Sequence, residues 1–281
     1  MTSTALQAKK PWEQPFWKPA RGQAGAFAFL VVVHALGVVG LIIFPLPGWG
    51  PVLGGAALVA LGALGTTVCY HRSLAHKTVN LNKWVEQILI FLAMFNGSGA
   101  PGSWVAYHRY HHSNADTDAD ISSPTHGGFW WAHLRWLYQL EPMDTSRWCA
   151  ELDQRNLSFW ARVQLPLVVV SIVFGLAFGW VWFFWLGAIR LAYSLHMQCF
   201  VNSVMHLGDY DTGDSSRNVW WLGPPMLGGW GENWHRNHHS AAASAKFGRH
   251  WWQVDMGWYL IWTLEAVGLA KGVKRPPRES A

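Results

Sequence analysis

Four long apolar segments constrain the fold of this chain more than any other feature. A helix needs about 20 mostly apolar residues to cross the hydrocarbon core of a bilayer. The segments that reach this length are residues 24–45, 51–70, 159–179 and 180–204. Only 13% of all residues are charged, roughly half the share found in soluble proteins. The 21 tryptophans also suit membrane interfaces. The sequence therefore predicts an all-α integral membrane protein.

The distribution of charge predicts how the four segments cross the membrane. Residues 45–51 and 178–180, which link the members of each pair, carry no charge, so each pair is expected to form a hairpin. Basic residues instead precede the first segment and follow the second, and such residues concentrate on the cytoplasmic side of membrane proteins. We therefore expect both termini and the middle segment in the cytoplasm. The predicted regions are a tail of residues 1–23 and a cytoplasmic helical cap of residues 71–158 and 205–281.

Two shorter apolar stretches are not expected to cross the membrane. The first would form an interfacial or re-entrant helix, and the second would lie on the interface. Residues 85–95 are too few to cross, and a crossing there would separate the histidines on its two sides. Residues 250–269 have the composition of a Trp-rich helix on the interface. Arg190 places a charge within the fourth segment, which is costly in lipid. A buried partner and a role in substrate binding both remain open for it.

Histidines occur in spaced groups that predict a metal site. Nine of the fourteen histidines fall in groups near the predicted cytoplasmic ends of the segments. The groups are His71 and His76; His108, His111 and His112; His206, four residues after Asn202; and His235, His238 and His239. Residues at i, i+3 and i+4 share a helix face, so each HxxHH group can converge on one point. Residues five apart lie roughly 140° around a regular helix. The first group therefore serves two metals, or one metal on a distorted helix.

Nine imidazoles are too many for one ion and suit two. Imidazole binds iron, zinc, copper and nickel without selecting among them. Structural zinc sites favour closed, Cys-rich cages, and three scattered cysteines cannot build one. Two redox metals with open positions therefore fit better. The isolated His34, His126, His133 and His250 are expected to be ordinary core or surface residues, and His196 is undecided.

The histidine groups, in this order and spacing, resemble the membrane fatty-acid desaturases, especially the stearoyl-CoA and acyl-lipid delta-9 group. The strings NSVMHLG at 202–208, GENWHRNHH at 231–239 and WWQVD at 251–255 strengthen the resemblance. The loop at 116–126 departs from it, because a compact Asp-Pro-His run is missing. The resemblance implies two iron ions as cofactor, with Trp104 lining a substrate tunnel. The metal ligands it implies are His71, His76, His108, His111, His112, His206, His235, His238, His239 and, through a water, Asn202.

The same resemblance implies an enzyme that uses dioxygen to introduce a double bond into a fatty-acyl chain, at the delta-9 position. The substrate would be a CoA thioester or a glycerolipid. Electrons would come from an external donor such as ferredoxin or cytochrome b5 with its reductase. Carboxylates would orient the ligand imidazoles through their second ring nitrogens. We expect this of Glu232 and of one of Asp116, Asp118 and Asp120, with Asp116 as the first choice.

Two other functions are weighed against desaturation. A His-rich di-iron hydroxylase or ketolase, acting on an alkane, acyl lipid or carotenoid, would have similar ligands. A metal carrier predicts ionisable residues distributed through the spans, whereas the histidine groups lie outside them. Membrane lipid is an expected partner. Nucleic acid is not, because the net charge of +5 is modest and is not gathered into basic clusters.

Overall fold

The computed structural model describes residues 10–115, 117, 119–155, 157–208, 215–223, 226 and 230–276. Its main helices, in chain order, are α1 (Ala24–Ile43), α2 (Trp49–Ala75), α3 (Lys83–Phe95), α4 (Pro101–Asn114), α5 (Pro124–Trp130), α6 (Thr145–Cys149), α7 (Leu157–Phe178), α8 (180–202), α9 (His235–Ser240) and α10 (Met256–Ala266). Helix α5 continues through a π-helical segment, Trp131–Arg135, into a short helix, Trp136–Gln139. Isolated 3-10 turns span Pro11–Glu13, Ala150–Arg155, Val204–His206 and Trp220–Leu222.

Three of the described helices are long and apolar enough to cross a membrane. They are α1, α2 and α7, with mean hydropathies of 2.7, 1.9 and 2.0. Three apolar helices of this length indicate that the protein associates with a membrane. The fourth predicted segment forms helix α8, but this helix is not among those apolar enough to be identified as a membrane span. Its crossing of the membrane stays a prediction, as does the orientation of the chain.

Helix α8 is irregular in its first half. An initial turn, Trp180–Trp182, leads into a π-helical segment, Phe183–Ile189, before regular α-helix over Arg190–Asn202. Close approach to α7 depends on Gly187, where a Cβ would lie 2.3 Å from the carbonyl oxygen of Ile172. Small residues at such crossings let helix backbones pack closely without a hydrophobic driving force.

Helix α3 is a short helix that reverses at its end. Its 13 residues extend about 20 Å at 1.5 Å per residue, less than the roughly 30 Å of a hydrocarbon core. The side chain of Asn82 caps its start by accepting from the backbone N–H of Trp84 at 2.9 Å. After Phe95 the chain turns through Gly97 and Gly99, whose φ angles of 84° and 78° are left-handed. This geometry agrees with a helix that enters the apolar layer and returns.

Arg190 on α8 holds the end of α3 in place. The guanidinium is 2% exposed and donates to the carbonyl oxygens of Leu186, Phe95 and Ser171 at 2.6, 2.8 and 3.0 Å. It also donates to Asn96 Oδ1 at 3.2 Å and to Ser171 Oγ at 2.6 Å. None of these described partners is a carboxylate, so the expected ion pair is replaced by neutral acceptors. Arg190 thus joins α3, α7 and α8 at one point.

The C-terminal region is tied to the chain that follows the first histidine group. Two-residue strands, β1 (Asn80–Leu81) and β2 (Ala270–Lys271), pair antiparallel. The helix predicted over 250–269 begins only at Met256, because Asp255 acts as its N-cap and accepts from the N–H of Trp258 at 2.9 Å. It ends at Ala266. Trp262 is 59% exposed on its surface, as an interfacial helix requires.

The structure predicts a stability role for Arg190. Arg190→Leu should lower the free energy of unfolding by about 3 kcal/mol, because buried acceptors at Phe95 and Ser171 lose their donor. Thermal unfolding of the purified protein in detergent measures the effect. Arg162→Leu is the matched control, since Arg162 is an exposed arginine on α7. Equal melting temperatures for the two variants would contradict this role.

Candidate metal centre

The first histidine group lies on a π-helix, which settles how its two members relate. The last part of α2, Gly65–Ala75, is π-helical, and the backbone N–H of His76 donates to the carbonyl oxygen of His71 at 3.0 Å. In a π-helix the hydrogen bond joins residues i and i+5, so residues five apart lie on the same face. The helix is therefore distorted here, and His71 and His76 belong to the same cluster.

The nine histidines form two clusters. In each, one ring nitrogen per residue lies within 4.8 Å of every other. The first cluster is His71, His76, His108, His112 and His238, and the second is His111, His206, His235 and His239. All nine predicted imidazole ligands are thus brought together in the structure.

Each HxxHH group is divided between the two clusters, so the expectation that each converges on one point is wrong. On α4, His108 and His112 belong to the first cluster while His111 belongs to the second. On an α-helix, positions i and i+4 differ by roughly 40°, whereas i+3 lies roughly 60° to the other side of i. That angular difference lets one helix face two neighbouring points. On helix α9 the assignment is reversed: His235 and His239 belong to the second cluster, and His238 belongs to the first.

The ring nitrogens approach one another as ligands of a common ion do. In the first cluster, His71 Nε2 and His112 Nε2 each lie 3.0 Å from His238 Nε2, and His76 Nε2 lies 2.8 Å from His108 Nε2. Two nitrogens bound at about 2.1 Å and at right angles are about 3.0 Å apart.

The second cluster shows the same approach. His206 Nε2 and His235 Nε2 lie 2.9 Å apart. Among the described residues, His111 Nε2 is buried without a hydrogen-bond partner, as expected of an atom whose partner is an ion. The donor set therefore fits two metal ions, one per cluster, ligated by imidazole alone.

Several of the clustered imidazoles are neutral near pH 7, as metal binding requires. Burial, and then the neighbouring imidazoles, lower the pKa of His76 to about 2. The same two causes hold the pKa values of His108, His206, His235 and His238 well below the ordinary range. Their lone pairs are thus free to bind a cation without first losing a proton.

Two carboxylates contact the outer nitrogens of ligand histidines. Glu232 Oε2 lies 2.6 Å from His71 Nδ1, and Glu232 also accepts a hydrogen bond from the Thr67 hydroxyl. Asp120 lies 3.0 Å from His111 Nδ1. Burial raises the pKa of Glu232, but His71, Arg72 and the hydrogen bonds outweigh it, so the net shift is downward. Both carboxylates can fix the ring orientation and the tautomer of their histidine.

Of the three acidic residues considered in the loop after α4, Asp120 is the one seen to contact a ligand. Asp116, the first choice from the sequence, lies outside the described residues, as does Asp118. Asp120 is 1% exposed and also accepts from the N–H of Ser122 at 3.1 Å. The loop therefore places a carboxylate against His111 without the Asp-Pro-His run that it lacks.

A buried ion pair behind the first cluster was missed by sequence reasoning. Arg72 and Asp255 are 0% and 1% exposed, and Arg72 Nη2 lies 2.8 Å from Asp255 Oδ1. The guanidinium lies 4.0 Å from the ring centroid of Phe247, and that ring lies 4.5 Å from the ring of His238. The sequence signal that could have revealed this pair is Arg72 itself, a charged residue directly after His71 at the end of an apolar helix. The pair joins the first and last histidine groups.

Trp104 and Asn202 each lie four residues before a clustered histidine, and the structure places them differently. Trp104 stacks on His108 at 4.8 Å and meets Tyr70 edge-on at 5.8 Å, so an apolar wall adjoins the first cluster. Its role in a substrate tunnel stays a prediction. Helix α8 ends at Asn202, and a separate 3-10 turn carries His206. The two are therefore not on one continuous helix, and ligation by Asn202 through a water also stays a prediction.

The isolated histidines divide into two kinds. His126 contacts the carbonyl oxygen of Thr117 at 2.8 Å, and His250 stacks on Trp252, so both are ordinary residues as expected. His34 and His133 are different, because each contacts His196. They lie apart from the two metal clusters.

Comparison with known proteins agrees with this geometry. The sequence model of the fatty acid desaturase family matches residues 47–269. The chain belongs to the fatty acid desaturase family. A delta-9 acyl-lipid desaturase 2 of Arabidopsis thaliana is 34% identical over 287 residues, with 98% of this chain and 91% of the relative covered. The family makes this protein an enzyme, an oxidoreductase of lipid metabolism.

Two further relatives show the range of the family. The sn-1 stearoyl-lipid 9-desaturase of Synechocystis sp. is 35% identical over 228 residues, covering 78% of this chain and 70% of the relative. The chloroplastic palmitoyl-monogalactosyldiacylglycerol delta-7 desaturase of Arabidopsis thaliana is 33% identical over 291 residues, covering 98% and 76%. The names of these relatives give two double-bond positions, so family membership alone does not fix the position in this desaturase.

Loss of the Glu232 carboxylate should weaken metal binding at the first cluster. Glu232→Gln is expected to lower metal affinity by about 10- to 100-fold, because the orientation of His71 is no longer fixed by a charged acceptor. Metal retained per protein during a chelator titration measures this. Glu141→Gln, at an exposed position away from both clusters, is the control. Loss of metal from both variants at the same chelator concentration would exclude a specific role for Glu232.

Proposed function

We propose that this desaturase introduces a double bond into a fatty-acyl chain with dioxygen, at the delta-9 position, using two iron ions. The observation that carries the proposal is the pair of all-imidazole clusters that share helices α4 and α9. Acid–base side chains do not remove hydrogen from unactivated methylenes, so a cofactor must supply that chemistry. The two irons, when bound, would supply the activation of dioxygen.

The residues of the chain bind and orient in this proposal. The first cluster would hold one iron and the second cluster the other, with Asn202 adding a water-mediated contact. Glu232 and Asp120 keep the rings of His71 and His111 in their ligating orientation, through contacts of 2.6 and 3.0 Å. Iron is chosen over zinc because the clusters contain no thiolate and because the family carries out redox chemistry.

An apolar wall beside the first cluster supports an acyl chain as substrate. Trp104 packs against a hydrophobic core that includes Tyr70, Val105 and Leu157, and its indole stacks on the ligand His108. A saturated chain along this wall would exclude water from the metal centre while its methylenes lie near the clusters. Trp104 is thus proposed as a residue that positions the substrate.

The head group is proposed to be that of a glycerolipid. The relatives are named for acyl-lipid, stearoyl-lipid and monogalactosyldiacylglycerol substrates, which favours a lipid over a CoA thioester. Delta-9 is the position named for two of these three relatives, and delta-7 for the third. The depth of the proposed substrate tunnel beside Trp104 would decide between the two double-bond positions.

The membrane arrangement is proposed to be four spans in two hairpins, with both termini and the metal centre on the cytoplasmic side. Helix α8, at 23 residues over 180–202, would reach about 34 Å, enough to span. The basic residues Lys18 and Arg21 before α1 support a cytoplasmic start. Electrons would come from a separate carrier protein, such as ferredoxin or cytochrome b5 with its reductase.

The test is the fatty-acid profile of a desaturase-deficient host that expresses the chain. The wild-type protein should produce a new monounsaturated chain, while His111→Ala should produce none, because the second cluster loses a ligand. His126→Ala is the matched control, since His126 lies outside both clusters, and it should keep the activity.

The other outcomes assign other functions. A hydroxylated acyl chain would replace desaturation by hydroxylation at the same centre. No change in lipid, from metal-loaded protein with a working electron donor, would exclude an acyl substrate. Sorting the labelled product by lipid class at early times shows whether the double bond first appears in glycerolipid or in CoA thioester.

A further inference from the structure

A chain of three imidazoles lies apart from the two metal clusters. His34 Nδ1 lies 2.7 Å from the carbonyl oxygen of Leu30, and His34 Nε2 lies 3.0 Å from His196 Nε2. His196 Nδ1 lies 2.9 Å from His133 Nε2, and His133 Nδ1 lies 2.9 Å from Ser203 Oγ. We call His34, His196, His133 and Ser203 the histidine chain. It joins α1, α8 and the π-helical segment after α5.

The chain ends on a carbonyl at each side. Leu30 supplies the acceptor at one end, and Ser203 Oγ lies 2.9 Å from the carbonyl oxygen of Cys199 at the other. Carbonyl oxygens accept hydrogen bonds and cannot donate them. Neither end can supply a hydrogen to the series, so every hydrogen within the neutral chain comes from the three imidazoles and the hydroxyl.

Counting hydrogens shows that the neutral chain is short of one. Five contacts follow in series: Leu30 to His34, His34 to His196, His196 to His133, His133 to Ser203, and Ser203 to Cys199. Each neutral imidazole carries one N–H and serine one O–H, so only four hydrogens are available for five contacts. One contact must then bring two lone pairs together. A single added proton fills all five.

The arrangement does not suit a third metal ion. His34 approaches Nε2 of His196, whereas His133 approaches Nδ1 on the other side of the same ring. One imidazole cannot direct both nitrogens at a single ion. The geometry instead suits the passage of a proton through the His196 ring, in at one nitrogen and out at the other.

No acidic group lies on the elements that carry the histidine chain. The neighbouring 3-10 turn Pro11–Glu13 carries Glu13, whose carboxylate accepts from the backbone N–H of Lys10. Helix α1, the stretch 131–139 and residues 183–202 contain no aspartate, glutamate or lysine. Beside the chain's own histidines, their titratable or charged side chains are Arg135, Tyr138, Arg190, Tyr193 and Cys199. His126 is the one titratable residue of α5, on Pro124–Trp130.

These neighbouring groups have partners of their own. Arg135 donates to Gln139 and to the carbonyl oxygens of Trp12 and Gln14, and Tyr138 donates to the carbonyl oxygen of Phe16. An added proton is therefore not trapped as an ion pair and stays mobile within the chain.

We propose that the histidine chain is a proton relay that takes up one proton at a time and passes it to the turn carrying His206. Ser203, at its end, immediately precedes that 3-10 turn, Val204–His206. His133 is buried and lies between His196 and Ser203, so a proton that reaches Ser203 passes through its ring. Chains of ionisable residues within membrane helices are typical of proton transfer.

The role of the relay in the reaction follows from the proposed function and rests on it. Desaturation converts two adjacent methylenes, one dioxygen, two electrons and two protons into a double bond and two waters. The carrier protein supplies the electrons, and the protons must reach a buried centre from outside. Burial, and then His196, lower the pKa of His133 to about 4. His133 is therefore neutral at rest near pH 7.

Nitrogen NMR of the full-length, histidine-labelled protein in lipid nanodiscs tests the hydrogen count. Subtracting the spectrum of His196→Phe from that of the wild type isolates the signals of the chain. Between pH 8 and pH 4, the three imidazoles should together take up one proton, with averaged Nδ1 and Nε2 signals. Uptake of three independent protons, or fixed tautomers over the whole range, would overturn the relay.

Steady-state kinetics test whether the relay supplies protons to the reaction. His196→Phe should lower kcat at least tenfold, as expected for loss of a positioned proton-transfer group, with KM and bound metal unchanged. The kinetic effect of D2O on kcat should rise in this variant. His250→Phe, at an exposed histidine, is the control and should match the wild type. Equal kcat values for His196→Phe and wild type would remove the relay from the reaction.

The two failures are distinguishable. If the wild type forms no unsaturated product, the proposed function fails while the NMR count still decides whether the chain binds one proton. If the wild type is active and His196→Phe is equally active, the proposed function stands and the relay's task is overturned.

Discussion

The hydrogen bond from the His76 N–H to the His71 carbonyl, five residues back along a π-helix, is the interaction on which the metal centre depends. It keeps α2 helical while turning its last residues so that both imidazoles face one point. This point lies at the end of α2, one of the three long apolar helices. Helices α4 and α9 then bring their histidines to the same place. The Arg72–Asp255 pair and Phe247 hold the C-terminal group against the first.

Charge is handled in contrasting ways around this centre. The nine clustered imidazoles are buried or partly buried, and burial lowers the pKa of several of them, so these neutral rings can approach closely without mutual repulsion. Arg72 is paired with a carboxylate, whereas Arg190 is surrounded by carbonyl, amide and hydroxyl oxygens. A guanidinium with five donors can satisfy several exposed helix-end groups at once. This explains how a cation is accommodated in the helical bundle without an acidic partner.

Local spacing in the sequence predicted much of the site, because ligand groups and apolar segments are short-range patterns. All nine histidines of the two clusters came from such spacing or from the resemblance it supported. Glu232 was expected to orient a histidine, and the structure places it against His71. Other features needed contacts between distant residues. His34 and His196 are 162 positions apart, and no periodicity connects them. The division of each HxxHH group also escaped prediction, because a shared helix face was equated with a shared point.

The division of α4 and α9 between the two clusters has a consequence for assembly. Neither cluster has a helix pair of its own, so ordering α4 to complete the first cluster also places His111 for the second. Ordering these shared helices costs conformational entropy only once for the two clusters. If each cluster binds an ion as proposed, the first ion would order histidines of the other cluster, and loading of the two sites would be cooperative.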